Sequence, residues 1–223
     1  MVPVPPNKEK PKKMSRITLN TKCRLCRAQG TKLYLKGERC FSPKCPIEKK
    51  GAVPPGMHGI KRRSRTTDFG LQLKAKQQAK RIYGVNETQF RNYFLKAKTL
   101  PGLIGDNLLI LLERRLDNFL CLSGLSLSRT HARQIISHRH VFVNDKKLNI
   151  SSYLVKVGDE ISLDKKVSQL FAGTLRLDQK DYKNPDWLLA DKKNYSAKVV
   201  ALPSLSHTNQ AIDINLIIEY YSR

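Results

Sequence analysis

Ser-Arg-Thr-His-Ala-Arg-Gln-Ile-Ile-Ser-His-Arg-His-Val-Phe-Val-Asn-Asp-Lys-Lys-Leu (128–148) is the stretch on which the fold turns. Its apolar period changes midway. In the first half Ala132, Ile135 and Ile136 recur at helical spacing behind Ser128, a side chain suited to capping a helix start. In the second half Val141-Phe142-Val143 and Lys146-Lys147-Leu148 flank Asn144-Asp145, which reads as a two-residue hairpin turn. Downstream, Tyr153 to Val157, the turn Gly158-Asp159 and Glu160 to Leu163 are expected to extend the hairpin into a small antiparallel sheet. A short helix feeding such a sheet is an α+β unit.

Toward the carboxyl end, residues 165–211 are less legible, with strand-like pieces at Trp187-Leu188-Leu189 and Val199-Val200-Ala201-Leu202. Ile212 to Tyr221 is apolar enough to be buried, and both a strand and a capped helix fit it. Toward the amino end the texture is helical. Thr66-Thr67-Asp68 offers N-caps, Gly84 a stop, and Leu71, Ala75, Ala79 and Ile82 an apolar stripe between them. Asn86 opens a second helix whose Phe90, Tyr93, Phe94 and Ala97 are spaced for core packing. After Pro101-Gly102 a third helix is expected from about Asp106 to Ser123, closing at Gly124.

Cys23, Cys26, Cys40 and Cys45 form a Cys-x2-Cys and a Cys-x4-Cys pair. Four thiolates suit a soft tetrahedral ion. The loop from Arg27 to Arg39 has almost no apolar stripe, so a metal would supply its folding energy. One structural Zn2+ is the first reading; an iron–sulfur cluster, a pair of disulfides and free thiols are the alternatives. Disulfides fit poorly, because Met1 to Lys13 has no apolar run of signal length and a cytosolic chain keeps its thiols reduced. Cys121, in an apolar helical run, reads as a core thiol.

The formal net charge is +24. Residues 1–98 carry 25 Lys+Arg against 5 Asp+Glu, and residues 99–223 carry 17 against 13. That asymmetry predicts a polyanion held mainly by the amino half. The longest apolar run, Leu108 to Leu112, is far too short to span a bilayer, so nucleic acid is favoured over a membrane. Candidate phosphate contacts surround the cysteines (Lys22, Arg24, Arg27, Lys44, Lys49, Lys50) and fill the run Lys61, Arg62, Arg63 and Arg65. Others flank the first helical stripe (Lys74, Lys76, Lys80, Arg81). The rest belong to the opening stretch: Ser128 at a helix start that can receive phosphate, the forked Arg129 and Arg133, Arg139, and Lys146 and Lys147 of the hairpin.

Seven segments, in order, carry a resemblance: Cys-Arg-Leu-Cys-Arg (23–27), Leu-Tyr-Leu-Lys-Gly-Glu-Arg-Cys (33–40), Pro-Pro-Gly-Met-His-Gly (54–59), Arg-Ile-Tyr-Gly (81–84), Gln-Phe-Arg-Asn (89–92), Leu-Glu-Arg-Arg-Leu-Asp-Asn (112–118) and Tyr-Tyr-Ser-Arg (220–223). Over about residues 15–223 the chain resembles the bacterial-type small-subunit ribosomal protein S-four family. Arg115 to Leu163 is similar to the S-four RNA-binding module found in other proteins. The resemblance implies a cytoplasmic, non-catalytic ribosomal protein. It implies a primary binder of small-subunit rRNA that nucleates assembly at a helix junction. It also implies a place beside neighbouring small-subunit proteins and the path by which mRNA enters, with a contribution to translational accuracy. Some family members bind zinc through the four knuckle cysteines, all present here.

The implied organisation is a flexible leader (1–14), a zinc-knuckle arm (15–58) and a helical domain (59–111) completed by about 205–223. An inserted small α/β domain with an antiparallel sheet occupies 112–204 and contains the module at about 115–163. Two departures stand out. The module usually carries glycine where this chain has Arg139, and Asn-Gly where it has Asn144-Asp145; glycine serves places that need positive φ. Two rivals fare worse. An RNA-modifying or aminoacylating enzyme would need a glycine-rich phosphate loop or a placed carboxylate pair, and none is evident. A zinc-containing DNA-binding regulator would show a recognition helix and a dimer seam.

Overall fold

The computed structural model describes residues 22–59, 65–178, 182–203 and 212–223. The cysteine region is built on two short helices, α1 (Lys22–Gln29) and α2 (Pro46–Lys50), the second started by Pro46. Helix α3 (Asp68–Tyr83) starts where Thr67 accepts the Gly70 N–H and stops at Gly84 in the left-handed conformation. Its inward stripe differs from the expected one. Ala75, Ala79 and Ile82 are buried, but Leu71 is exposed, and Gln72 and Lys76 take the inner face beside it. Helix α4 (Glu87–Thr99) opens with the Asn86 N–H donating to the Gln89 side chain, and it buries Phe90, Tyr93, Phe94 and Ala97 as their spacing predicts.

The expected helix from Asp106 to Ser123 is in fact two, α5 (Ile104–Glu113) and α6 (Leu116–Leu122). Arg115 breaks the run in an extended conformation. The cause is tertiary. The Leu116 N–H donates to Tyr153 O at 2.8 Å, and the Val155 N–H donates to Arg114 O at 2.9 Å. The segment expected to be a strand at Tyr153 to Val157 therefore spends its pairing on this junction, as a single bridge between Arg115 and Leu154.

Helix α7 (Arg129–Ser137) is capped by Ser128, whose hydroxyl accepts the His131 N–H. It leads into β1 (Val141–Val143), β2 (Lys146–Leu148) and β3 (Glu160–Leu163); α8 (Lys165–Leu170), β4 (Leu188–Asp191) and β5 (Ser196–Val199) follow. The strands form one antiparallel sheet in the order β2-β1-β3-β5-β4, with Val141 opposite both Leu148 and Leu163. At the β1–β2 turn Asn144 and Asp145 both have positive φ, 47° and 63°. Asn144 tolerates this because its side chain donates to Asp159 and accepts the Glu160 N–H. The last described segment is a helix, α9 (Ile214–Tyr221), capped by Asp213 and packed on α3.

Two apolar cores result. One joins α6 and α7 to the sheet through Leu116, Phe119, Ile136, Val141, Ile161 and Trp187. The other joins α3, α4, α5 and α9 through Ala79, Phe90, Phe94, Leu112 and Ile217. The cysteine region belongs to this second core: Leu33 and Cys26 are buried in it, and Leu25, Leu35 and Ile47 pack against it. The expectation that the Arg27–Arg39 loop lacks apolar support is thus corrected. Leu33 finds its partners on helices far along the chain.

Candidate nucleic-acid interface

Cys23, Cys26, Cys40 and Cys45 line one small pocket of about 10 Å3, with Leu35 and Pro46 among its walls. All four are free thiols; Cys23 is half-buried and the others are buried. Burial pushes the Cys26 and Cys40 thiols up, while backbone N–H groups of Leu33 and Lys36 pull them back, the second donating to Cys40 Sγ at 3.3 Å. Four soft donors, two of which already accept N–H···S bonds, suit a thiolate-bound ion. Among the described residues, however, no three His, Cys, Asp or Glu side chains stand at metal-binding spacing, so the structure shows a four-thiol pocket and not a zinc knuckle.

The candidate cations divide by exposure. Arg24, Lys44, Lys49, Lys50, Arg65, Arg139, Lys146 and Lys147 are exposed, and Lys22 and Lys74 are half-buried. Lys61, Arg62 and Arg63 lie outside the described residues. Arg27 is turned to the arm, its guanidinium donating to Val53 O at 2.7 Å and Pro54 O at 3.0 Å. Arg139 follows the last turn of α7 with φ 61°, so an arginine occupies a glycine-type conformation there.

Several candidates are committed inside the protein, and their placement corrects the picture of a uniformly free basic surface. Lys76 is only 4 % exposed. Its ammonium sits 2.8 Å from Glu87 and 4.0 Å above the Tyr220 ring, because its position on α3 faces α9. Lys80 also donates to Glu87, at 2.5 Å. Burial alone would raise the Glu87 carboxyl, but hydrogen bonds from Lys76, Lys80 and Tyr221 hold it down at about 2. Ser128 is buried as a cap. Arg81 donates to Gln29 at 2.9 Å, and Arg129 to Asn118 at 2.7 Å. Arg133 is the most constrained: it donates to Asp117 at 2.6 Å and to the carbonyls of Gly84 and Tyr83 at 2.5 Å each.

The bonds of Arg129 and Arg133 belong to a buried polar hub between the two cores. Asp117 accepts from Arg115 through both oxygens, at 3.1 and 2.9 Å. Arg115 also donates to Tyr93 Oη at 2.8 Å. Glu113 accepts from Tyr83 Oη at 2.6 Å and Asn118 Nδ2 at 2.5 Å. Burial, reinforced by the Glu113 carboxylate, pushes the Tyr83 phenol well up. Sequence reasoning missed this hub. The available signal was four charged side chains, Glu113, Arg114, Arg115 and Asp117, set between the apolar runs 108–112 and 119–122.

The hub sits at a boundary seen independently. Residues 18–113 match the family profile of the ribosomal protein S4/S9 N-terminal domain, and residues 114–161 match the S4 domain. The small ribosomal subunit protein uS4 of Natranaerobius thermophilus is 46% identical over 202 residues, covering 90% of this chain and 96% of the relative. The chain belongs to the ribosomal protein S4 family. It is a structural ribosomal protein and not an enzyme. The uS4 proteins of Desulforamulus reducens (47% over 203 residues, 90% and 96% covered) and of a Thermoanaerobacter strain (44% over 212 residues, 94% and 100% covered) extend the S4 likeness over nearly the whole length. No described helix is long and apolar enough to cross a membrane.

Proposed function

We propose that this protein is a primary binder of small-subunit rRNA in the cytoplasm, nucleating assembly by clamping a helix junction. In the assembled subunit it sits beside neighbouring ribosomal proteins near the path by which mRNA enters, and it contributes to translational accuracy. The observation that carries the reading is the distribution of free cations. Arg24, Lys44, Lys49 and Lys50 stand on the cysteine region and Arg139, Lys146 and Lys147 on the sheet module, all exposed. The hub joins these two bodies. A stiff body with separated cationic faces suits recognition by shape and phosphate geometry rather than by base edges. Cys23, Cys26, Cys40 and Cys45 hold one structural Zn2+ in this reading, fixing the turn that presents Lys44.

The test is binding of the purified chain to naked small-subunit rRNA across a salt series. The logarithm of affinity should fall with slope of about −0.7 to −0.9 per phosphate neutralised against log salt. Replacing Lys44, Lys49 and Lys50 together by Gln should make that slope shallower. Deleting the whole arm is a poorer test, since Leu33 and Cys26 belong to the helical core. A slope unchanged by the triple substitution would remove the arm from the clamp.

A further inference from the structure

We infer that the cleft between the cysteine region and the start of α7 seats one nucleotide of an unpaired RNA strand: its phosphodiester lies among Arg81, Arg129 and Arg133, and its base rests on the Tyr34–Phe41 ring pair. The inference rests on the RNA-binding reading above and adds a specific site to it. Tyr34, Arg81, Gly84, Arg129, Thr130 and Arg133 line a cavity of about 40 Å3. A single water needs about 10–15 Å3 of such space, so this one admits the oxygens of a phosphate group.

The charge is unbalanced there. Among the described residues neither Arg81 nor Arg129 has a carboxylate at ion-pair distance, and Arg133 shares Asp117 with Arg115. Arg129 is fastened through Nε to Asn118 and lies over the Tyr83 ring. Its two terminal amino groups have no acceptor among the described residues. Guanidinium groups held this way, with donors left over, match the forked geometry of phosphate oxygens. The first turn of α7 carries Arg129 and Thr130 and adds its positive end.

The site is built before any ligand arrives. A Cβ on Gly84 would come within 2.7 Å of the Arg133 guanidinium, so the bare backbone lets that side chain lie against the end of α3. A Cβ on Gly37 would meet Leu127 O at 2.3 Å, so the cysteine region seats tightly on the loop entering α7. Tyr34 is held at φ 50°, an uncommon conformation for an aromatic residue, and this places its ring at the cleft wall. Tyr34 stacks on Phe41 with centroids 5.0 Å apart, and Arg176 lies 4.8 Å from the Phe41 ring. Both rings are exposed, 41 % and 59 %. An exposed aromatic pair beside an arginine-lined cleft is the combination that stacks single-stranded bases while holding their backbone.

The test uses the full chain with a labelled short oligouridine, an abasic strand of the same length, inorganic phosphate as competitor, and intact small-subunit rRNA. Thr130→Glu places a carboxylate in the cleft at a helix start where negative charge is favourable, so melting temperature should hold or rise while both strands bind about tenfold more weakly. Tyr34→Asn keeps a residue that tolerates positive φ but removes the ring; oligouridine should bind about tenfold more weakly and the abasic strand as before. Undiminished binding of both strands by Thr130→Glu refutes the phosphate seat, as does failure of the unaltered chain to bind oligouridine. Equal loss on both strands, or no loss, with Tyr34→Asn refutes the base platform. Displacement of oligouridine by inorganic phosphate at matching concentration reduces the site to a simple anion pocket and also overturns the inference. If the unaltered chain ignores the intact rRNA, the RNA-binding reading itself fails; if the chain and both variants bind rRNA equally, only the nucleotide seat fails.

Discussion

Asp117→Ala should be among the most damaging single changes in this protein. The carboxylate is fully buried and accepts from Arg115 Nε and a terminal Arg115 nitrogen, from Arg133 Nε at 2.6 Å, and from the Asn118 N–H at 2.9 Å. Removing it leaves Arg115, itself 2 % exposed, with Tyr93 Oη as its remaining side-chain partner. Breaking one side of a buried ion pair costs about 3–5 kcal/mol, because the other charge stays out of water without compensation. Against a typical total stability of about 5–15 kcal/mol that is a large fraction. The effect should also have a place. Arg115 and Asp117 belong to the sheet module, while Tyr93, Tyr83 and Gly84 belong to the helical core, so the variant should uncouple the two. Urea unfolding followed by the single tryptophan, Trp187 in the sheet core, should no longer coincide with unfolding followed by far-ultraviolet circular dichroism. A loss below about 1 kcal/mol with coincident transitions would refute the hub as the joint between the cores.

Arg139→Gly should relieve a left-handed residue costing about 1–2 kcal/mol while adding about 0.5–1 kcal/mol of glycine entropy, so the free protein should melt slightly higher. The same variant should bind rRNA several-fold more weakly; an unchanged melting point together with unchanged affinity would contradict both halves. The Glu87 carboxyl is held at about 2, below its ordinary value of 4.5, so its contribution is complete above pH 4.5 and is lost as pH falls toward 2. Because Glu87 is about half exposed, that contribution is about 1 kcal/mol after solvent screening. Near-ultraviolet dichroism of Tyr220 and Tyr221 should report loosening of α9 within that window, and a flat signal there would count against the Lys76–Glu87–Tyr221 cluster as its anchor. Finally, protein purified without oxidation should contain one equivalent of zinc, and Cys40→Ser should release it without altering the Trp187 signal. Iron in place of zinc, or a Cys23–Cys45 disulfide in cells, would refute the site.

Much of this architecture is written in short-range signals. Thr67 and Gly84 bound α3 and Ser128 starts α7, each through bonds to residues at most a few positions away or through its own backbone preference, and Asn144-Asp145 marks the hairpin turn that Asp159 and Glu160 then hold. Arg139 could be suspected of positive φ from the glycine-type place it fills, and the structure has it there. Charge distribution, cysteine spacing and the ordered segments that mark the S4 family are equally local reading. Tertiary structure decided the rest. Arg114 and Leu116 break a plausible helix because Tyr153 and Val155 offer better backbone partners across the chain. Leu71 is exposed although periodicity puts it on the inward stripe, and Leu33 is buried although its loop has almost no apolar stripe. The arginines of α7 read as phosphate contacts, yet Arg133 spends donors on residues up to 50 positions earlier, and Gln72 meets Glu219 across 147 positions. Amphipathic period tells which face of an element is apolar. It does not tell which distant charge, carbonyl or ring will lie against the other face, because that depends on how the two cores dock, and only the folded chain brings those groups within hydrogen-bonding distance.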